Sequence, residues 1–236
     1  MIELSFALHP EQSLHQYNEI GLHLEKNLID TNTCNELIAF ANELPAYKLG
    51  DCRSAMQMHL NSNKFMDVIT NIKIVSIMRQ LIGGKISAIH SQFYYGEPGT
   101  PGFQPHQDNR FVNAPVGQFA SAWIALTDVS KENGGLYIYP KTHLEPLLEV
   151  EEVSFEEDLL QDRNALRLRC KIPANYNFID LTMSKGSCAF FDGNTVHGSY
   201  RNESNQNRYA LLITYIRRGA PFVSGQHAKR KEIPID

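Results

Sequence analysis

Apolar residues recur at helical spacing through the first third of the chain and then give way to short β-rich runs. Leu37, Ile38, Phe40, Ala41 and Leu44 form one apolar stripe. Thr33 and Glu36 ahead of it make a capping-box pattern, which predicts a helix starting there and ended by Pro45. Phe65, Ile69, Ile72, Val75 and Met78 repeat the spacing and predict a second helix, from near Ser62 to the stop at Gly83-Gly84. From Lys85 onward, runs bounded by Gly, Pro and Asn predict strands at 86–95, 105–111, 119–126, 136–139, 187–191, 196–200 and 209–217. Helices grouped ahead of the strands argue against a doubly wound α/β fold and point to a mainly β sandwich or barrel with N-terminal helices.

The stretch 144–185 breaks this rhythm. It carries Glu149, Glu151, Glu152, Glu156, Glu157 and Asp158, followed by Arg163, Arg167 and Arg169. An excursion this long is either a cover over a site or a solvated surface loop, and it reads here as a lid. The expected organisation is a single domain: a helical support over 1–84, a β core over 85–218 with the lid inserted, and a C-terminal tail over 219–236.

A chain of 236 residues, 42% of them hydrophobic, can bury a sizeable core without staples. Its net charge of −4 supplies no basic field for nucleic acid or an acidic membrane. The one local basic cluster, Lys229, Arg230 and Lys231, reads as part of a solvated tail. Cys34, Cys52, Cys170 and Cys188 form no CxxC pair, so they read as small core residues in a reducing compartment. No signal peptide or membrane span is visible, and a cytoplasmic location is expected.

Candidate chemistry begins in the run Gln104-Pro105-His106-Gln107-Asp108. On a strand, His106 and Asp108 would share a face and could grip one metal ion. His197, after the turn at Asp192-Gly193-Asn194, supplies a third ligand. Two neutral imidazoles and a carboxylate make a facial triad with open positions, which suits Fe(II) better than structural zinc. On spacing alone, the same trio is also a common chance arrangement. Arg208 adds weight because it shares a strand face with Ala210, Leu212 and Thr214. A guanidinium on an apolar face needs a buried anion, and its planar fork suits a carboxylate. Ser199 shares a face with His197, so its hydroxyl can support the same anion. That anion is either an internal carboxylate, Asp180 being one candidate, or the distal carboxylate of 2-oxoglutarate.

Three blocks, HSQFYYGEPGTPGFQPHQDNRF, SAWIALTDVSKENGGLYIYPKTH and GSCAFFDGNTVHGSYRNESNQNRYA, cover roughly residues 85–218. They resemble the phytanoyl-CoA dioxygenase-like family of Fe(II)/2-oxoglutarate-dependent oxygenases. The resemblance implies a double-stranded β-helix (jelly-roll, cupin-like) core, with Fe(II) on His106, Asp108 and His197. It implies 2-oxoglutarate on Arg208 and Ser199, and Trp123 lining the same pocket, although a lone tryptophan is ordinarily a core aromatic. Gln92, on one face with His90 and Tyr94, matches a further co-substrate contact. The family's upstream lysine contact has no counterpart; Met58 or His59 falls near its place.

The implied reaction uses O2 to oxidise an unactivated carbon of a small-molecule substrate, with succinate and CO2 as co-products. Halogenases of the superfamily lack the carboxylate ligand, so Asp108 favours hydroxylation. No peroxisomal address is seen, so phytanoyl-CoA is not carried over as substrate. Tyr94, Phe103 and Gln104 are placed around the mouth of the site, with Asn109, Arg110 and Asn113 beyond the metal segment. Arg110 has two readings, a substrate anion or the acidic excursion. His143 belongs to a turn and is not a ligand. Two other readings stay open on the same scaffold: a cupin-like metal-dependent isomerase or 2-oxoglutarate-independent oxygenase, and a silent binding protein.

Overall fold

The computed structural model describes residues 4–48, 54–154 and 168–236, and the helices that follow the apolar stripes start at side-chain caps. α1 (Pro10–Ile20) places proline in the first turn, where no backbone N–H is needed, and ends at Gly21 in the left-handed region. β1 (Leu22–Glu25) leads to α2 (Thr31–Asn42). The cap of α2 is Asp30 rather than Thr33: its carboxylate accepts from Thr33 N at 2.9 Å and Thr33 Oγ1 at 2.7 Å. An aspartate at this position satisfies a free N–H and also complements the positive helix start. Pro45 does more than end a helix, since it opens α3 (Pro45–Lys48).

After β2 (Ser54–Met56), the second predicted helix proves to be two, α4 (Asn63–Ile69) and α5 (Ile72–Ile82). Asn71 accepts from Lys73 N at 3.0 Å and restarts the helix. The apolar stripe runs through this break, so periodicity alone misses it.

β3 (Ile86–Gly96) is followed by a single helical turn, α6 (Asn109–Val112). Then come β4 (Phe119–Ala125), β5 (Leu136–Ile138), β6 (Val150–Glu152), β7 (Leu168–Cys170) and β8 (Ile179–Asp180). The last strands are β9 (Cys188–Asp192), β10 (His197–Ser199), β11 (Arg208–Arg217) and β12 (Ile233–Pro234). Six strands run in the order β1-β9-β4-β11-β3-β12, and β2 completes this sheet by also pairing with β3. A second sheet has the order β10-β5-β8. All pairs are antiparallel, and the two sheets make a jelly roll.

Alternation along β11 divides the interior. Tyr209, Leu211, Ile213 and Tyr215 pack toward the helices, while Ala210 and Leu212 join Trp123, Leu136 and Phe191 between the sheets. Tyrosine hydroxyls tie the layers together: Tyr215 Oη donates to Ile69 O at 2.8 Å, and Tyr95 Oη to Ala41 O at 2.7 Å. Cys34, Cys170 and Cys188 are buried free thiols. No helix among the described residues is long and apolar enough to cross a membrane.

Three expectations change. The strand expected at 105–111 is absent: only His106 bridges a neighbouring strand, and the chain then turns into α6. The basic tail is not freely solvated, because Gln57 Nε2 donates to Ala228 O at 2.5 Å and β12 pairs with β3. Within 144–185, β6 and β7 pair as a hairpin, with Arg169 Nε on Glu151 at 2.6 Å. Glu156, Glu157, Asp158, Arg163 and Arg167 lie outside the described residues.

One buried carboxylate has a measurable consequence. Glu25 accepts from Ser5 Oγ at 2.6 Å and Phe6 N at 2.9 Å, and meets His23 Nε2 at 2.9 Å. Burial alone would raise its carboxyl pKa, but the bonds from His23, Ser5 and Phe6 outweigh it and hold the pKa below the ordinary value. A depressed carboxyl contributes stability above its unfolded value of about 4.3, and loses it as pH falls through the lower folded value. Glu25→Ala is expected to cost about 2–3 kcal/mol in urea unfolding at pH 7. That difference from wild type shrinks in acid; a constant difference down to pH 2 would assign the loss to packing.

Candidate active site

The first imidazole pair is set by the backbone. His106 N donates to His197 O at 2.8 Å and His197 N to His106 O at 3.0 Å, which brings the ring centroids to 4.3 Å. Glycine permits this approach: a Cβ on Gly102 would lie 2.0 Å from Ser199 O, and one on Gly198 would lie 2.3 Å from Tyr137 Oη. Asp108 does not reach the same place by strand pleating. It has helical dihedrals (φ −56°, ψ −35°), so a turn into α6 delivers its carboxylate.

The three side chains converge with their ligand atoms all within 4.8 Å of one another. Asp108 Oδ1 is 3.6 Å from His106 Nε2 and 3.7 Å from His197 Nε2, too far for a hydrogen bond. Each ring's other nitrogen is engaged, His106 Nδ1 with Gln104 O at 2.8 Å and His197 Nδ1 with Thr195 O at 3.0 Å. A carbonyl only accepts, so Nδ1 carries the hydrogen and each Nε2 turns a lone pair toward the gap. Ser121 Oγ donates to Asp108 Oδ2 at 2.9 Å, orienting the carboxylate.

Electrostatics act on the three groups in different directions. Burial would raise the Asp108 carboxyl, but the nearby charges of His197 and His106 and the Ser121 bond hold it well below the usual carboxylate range. Burial drives His197 down to about 4, with the charge of His106 adding to the effect and Asp108 opposing it. His106 moves the other way: burial lowers it, yet Asp108 and the Gln104 carbonyl raise it above its ordinary value. Lone pairs and an ionised carboxylate facing one gap are a donor set for a divalent cation, and that set fits Fe(II).

A cavity of about 60 Å³ extends from this cluster to Arg208, with Tyr94, Trp123, Leu136 and Ser199 in its walls. Arg208 is only 6% exposed, and its guanidinium lies 5.8 Å from the Trp123 ring. Gly96 leaves it room, since a Cβ there would sit 3.1 Å from Arg208 Nε. Ser199 Oγ accepts from Phe103 N at 3.0 Å, which leaves its own hydrogen free to donate into the cavity. Asp180, the internal candidate for Arg208, accepts from Tyr200 Oη at 2.6 Å and faces Lys131 at 3.9 Å.

A larger cavity of about 330 Å³ adjoins the cluster, and Gln92, Tyr94, Phe103 and Gln104 line it. Other expected contacts are elsewhere. Asn109 is a bracket, with Nδ2 on Ala114 O at 3.0 Å and Asn194 Oδ1 at 2.9 Å, and Oδ1 accepting from Ala114 N at 2.8 Å. Asn113 is the exposed left-handed residue closing α6. Arg110 donates to Leu148 O at the base of the 144–185 excursion, and among the described residues it forms no ion pair with an acidic side chain. Met58 is fully buried, and His59 pairs with Ser91. Met56 on β2 is the nearby residue that reaches the cavity. His143 rests on Asn18 O at 3.0 Å, away from the cluster.

Thr214, Phe119 and Arg230 also line the larger cavity. Thr214 lies on the β11 face that carries Arg208, so its position was legible. Nothing local to Arg230 indicates where the tail folds.

Known proteins resemble this chain in sequence and in fold. Phytanoyl-CoA dioxygenase 1 of Oryza sativa subsp. japonica is 26% identical over 195 residues, covering 82% of this chain, which spans 66% of that relative's length. The ectoine dioxygenase of Nocardia farcinica (strain IFM 10152) is 26% identical over 233 residues, with coverage of 88% and 78%. The epimerase SnoN, solved in complex with Fe3+, alpha ketoglutarate and nogalamycin RO, shares the fold at a TM-score of 0.76 and 18% identity, covering 98% of this chain and 96% of its own. The model of the phytanoyl-CoA dioxygenase (PhyH) family matches residues 25–210. That match starts on the last residue of β1 and runs into β11 past Arg208, taking in both histidines and Asp108, and the chain belongs to the phytanoyl-CoA dioxygenase (PhyH) family.

Proposed function

We propose that this chain is a dioxygenase that binds Fe(II) through His106, Asp108 and His197 and 2-oxoglutarate through Arg208 and Ser199. Its substrate is a small molecule in which an unactivated carbon is hydroxylated. The observation that carries this reading is one cavity joining the converging His106, Asp108 and His197 side chains to a buried arginine.

The bound metal and co-substrate supply O2 activation, with 2-oxoglutarate converted to succinate and CO2 as one oxygen atom goes to it and one to the substrate. The protein's residues do the positioning. The Gln104 and Thr195 carbonyls hold the imidazoles in the ligating tautomer, and Ser121 fixes the carboxylate. Arg208 matches the far carboxylate of the co-substrate with its planar fork, and the Ser199 hydroxyl donates a further bond. Trp123, Leu136 and Leu212 exclude water from this end. Asp108 fills the ligand position that a halide would need, which supports hydroxylation; a chlorinated product would overturn this.

The described ends of the 144–185 excursion, up to residue 154 and from residue 168, are read as the base of a cover. Leu168 lines the larger cavity, and the base of the excursion is tied to the metal segment by Leu148 N on Gln107 Oε1 and Cys170 N on Pro105 O, both at 2.8 Å. The buried free thiols of Cys34, Cys170 and Cys188 are consistent with a reducing, cytoplasmic setting.

Anaerobic addition of Fe(II) and 2-oxoglutarate should produce a visible charge-transfer band, and a substrate screen should produce succinate. Metal binding without the band would favour the 2-oxoglutarate-independent alternative. Absence of metal binding would leave the silent binder. Ser121→Ala is expected to weaken Fe(II) affinity roughly 10- to 100-fold, read by competition with a chelator.

A further inference from the structure

The larger cavity contains polar groups whose bonding needs the protein leaves unmet. Thr214 Oγ1, His90 Nδ1 and Arg230 Nε are buried and have no hydrogen-bond partner among the described residues. All three residues line this one cavity. Thr214 is the direct cross-strand partner of His90 on β3 and of Ser121 on β4, and Ser121 holds Asp108. The polar row Ser121-Thr214-His90 therefore starts beside the metal carboxylate and crosses the sheet at roughly 4.8 Å per strand.

Arg230 closes the same cavity from the C-terminal segment, beside Gly225 and Ala228. Its Nη1 donates to Phe111 O at 3.1 Å and Val223 O at 3.4 Å. Carbonyls position a guanidinium but do not neutralise it. Among the described residues, no carboxylate is within ion-pair distance of Arg230. The Asp108 carboxylate in the same cavity acts on Arg230 from beyond ion-pair distance, and a ligand anion in direct contact would offset the remaining cost of a partly buried cation. His90 offers a different partner. Gln92 Nε2 is engaged by Ser54 Oγ at 3.0 Å, which turns Gln92 Oε1 toward His90 Nε2 at 3.4 Å. His90 Nδ1 is thereby left to accept a hydrogen bond.

We propose that Arg230 seats an anionic group of the substrate, flanked by Thr214 and His90, with Met56, Phe111 and Phe119 receiving its apolar body. This rests on the oxygenase reading and deepens it by naming the substrate class: a small amphipathic anion, with a hydroxyl or N–H near the anion suiting His90. The co-substrate does not compete for this subsite. Arg208 and Thr214 stand at opposite ends of one strand face, six residues or roughly 20 Å apart. A volume of about 330 Å³ lies at the small end of small-molecule sites.

The test is calorimetric binding to the full chain, loaded anaerobically with Fe(II) and 2-oxoglutarate. The probes are hexanoate, 2-hydroxyhexanoate and 3-phenylpropionate, each against its methyl ester, with hexyl phosphate as a separate arm. Acids should bind at least about 10-fold more tightly than esters. Arg230→Gln should remove that preference, and Arg230→Lys should retain part of it. Preference for hexyl phosphate over hexanoate also supports the subsite and names phosphate as the group it takes. If Arg230→Gln fails to fold, Thr214→Val replaces it, with an expected loss of several-fold for the acids alone.

Equal binding of acid and ester, a preference that survives Arg230→Gln, or no binding by any probe would overturn the proposal. 2-Oxoglutarate binding to the metal-loaded protein is measured first. Its failure counts against the oxygenase reading, whereas a normal result followed by no acid preference counts against Arg230 alone.

Discussion

Asp108→Ala is expected to abolish tight Fe(II) retention and to lower succinate release by roughly 1,000-fold or more. The carboxylate is the only negative charge in the three-residue donor set, and the two imidazoles contribute lone pairs but no charge. Without it, a divalent ion is held by two neutral nitrogens in a partly buried gap, where an uncompensated charge is costly. The variant should nevertheless fold. The depressed Asp108 carboxyl contributes stability to the metal-free protein, and that contribution is lost with the side chain, but the hydrophobic layers it does not touch remain. Urea unfolding of the metal-free variant at pH 7 should show a loss of about 1–3 kcal/mol with the transition still cooperative. Loss of fold together with loss of iron would make Asp108 a structural residue. Full activity with bound iron would remove it from the ligand set.

Arg208→Ala should leave Fe(II) binding intact and raise the KM for 2-oxoglutarate roughly 100- to 1,000-fold. The effect is large because Arg208 is 6% exposed, in a cavity walled by Trp123 and Leu136, where little water can take over its role. Arg208→Lys should recover only part of the loss, since an ammonium keeps the charge but not the two parallel N–H bonds. The two variants also separate the competing readings. A 2-oxoglutarate-independent enzyme loses activity with Asp108→Ala and keeps it with Arg208→Ala. A silent binding protein shows no turnover in either form or in wild type.

Much of this was open to inspection before the fold was known, because it depended on local spacing. The alternation Arg208, Ala210, Leu212, Thr214 placed the arginine on the inner face, and β11 has that face. The pair His106 and Asp108 has the spacing of two that would share a face on a strand. Their side chains do meet, but through a bridge to β10 and a helical turn, a geometry that pleating does not describe. The polar run Asn109, Arg110 and Asn113 looked functional because it follows a ligand. Asn109 instead brackets Ala114 and Asn194, and Asn113 closes a helical turn, both common uses of asparagine in loops.

The tail shows the other limit. Lys229, Arg230 and Lys231 have the composition of a solvated segment, and no neighbour in sequence says otherwise. Arg230 enters the cavity because Gln57 holds Ala228 and β12 pairs with β3, contacts that span most of the chain. Side-chain periodicity and turn chemistry act over a few residues, so helices, strands and inward faces could be read directly from residue order. Contacts between distant segments form only when both sheets have closed, and those contacts brought Arg230 to the cavity and assigned Asn109 its structural role.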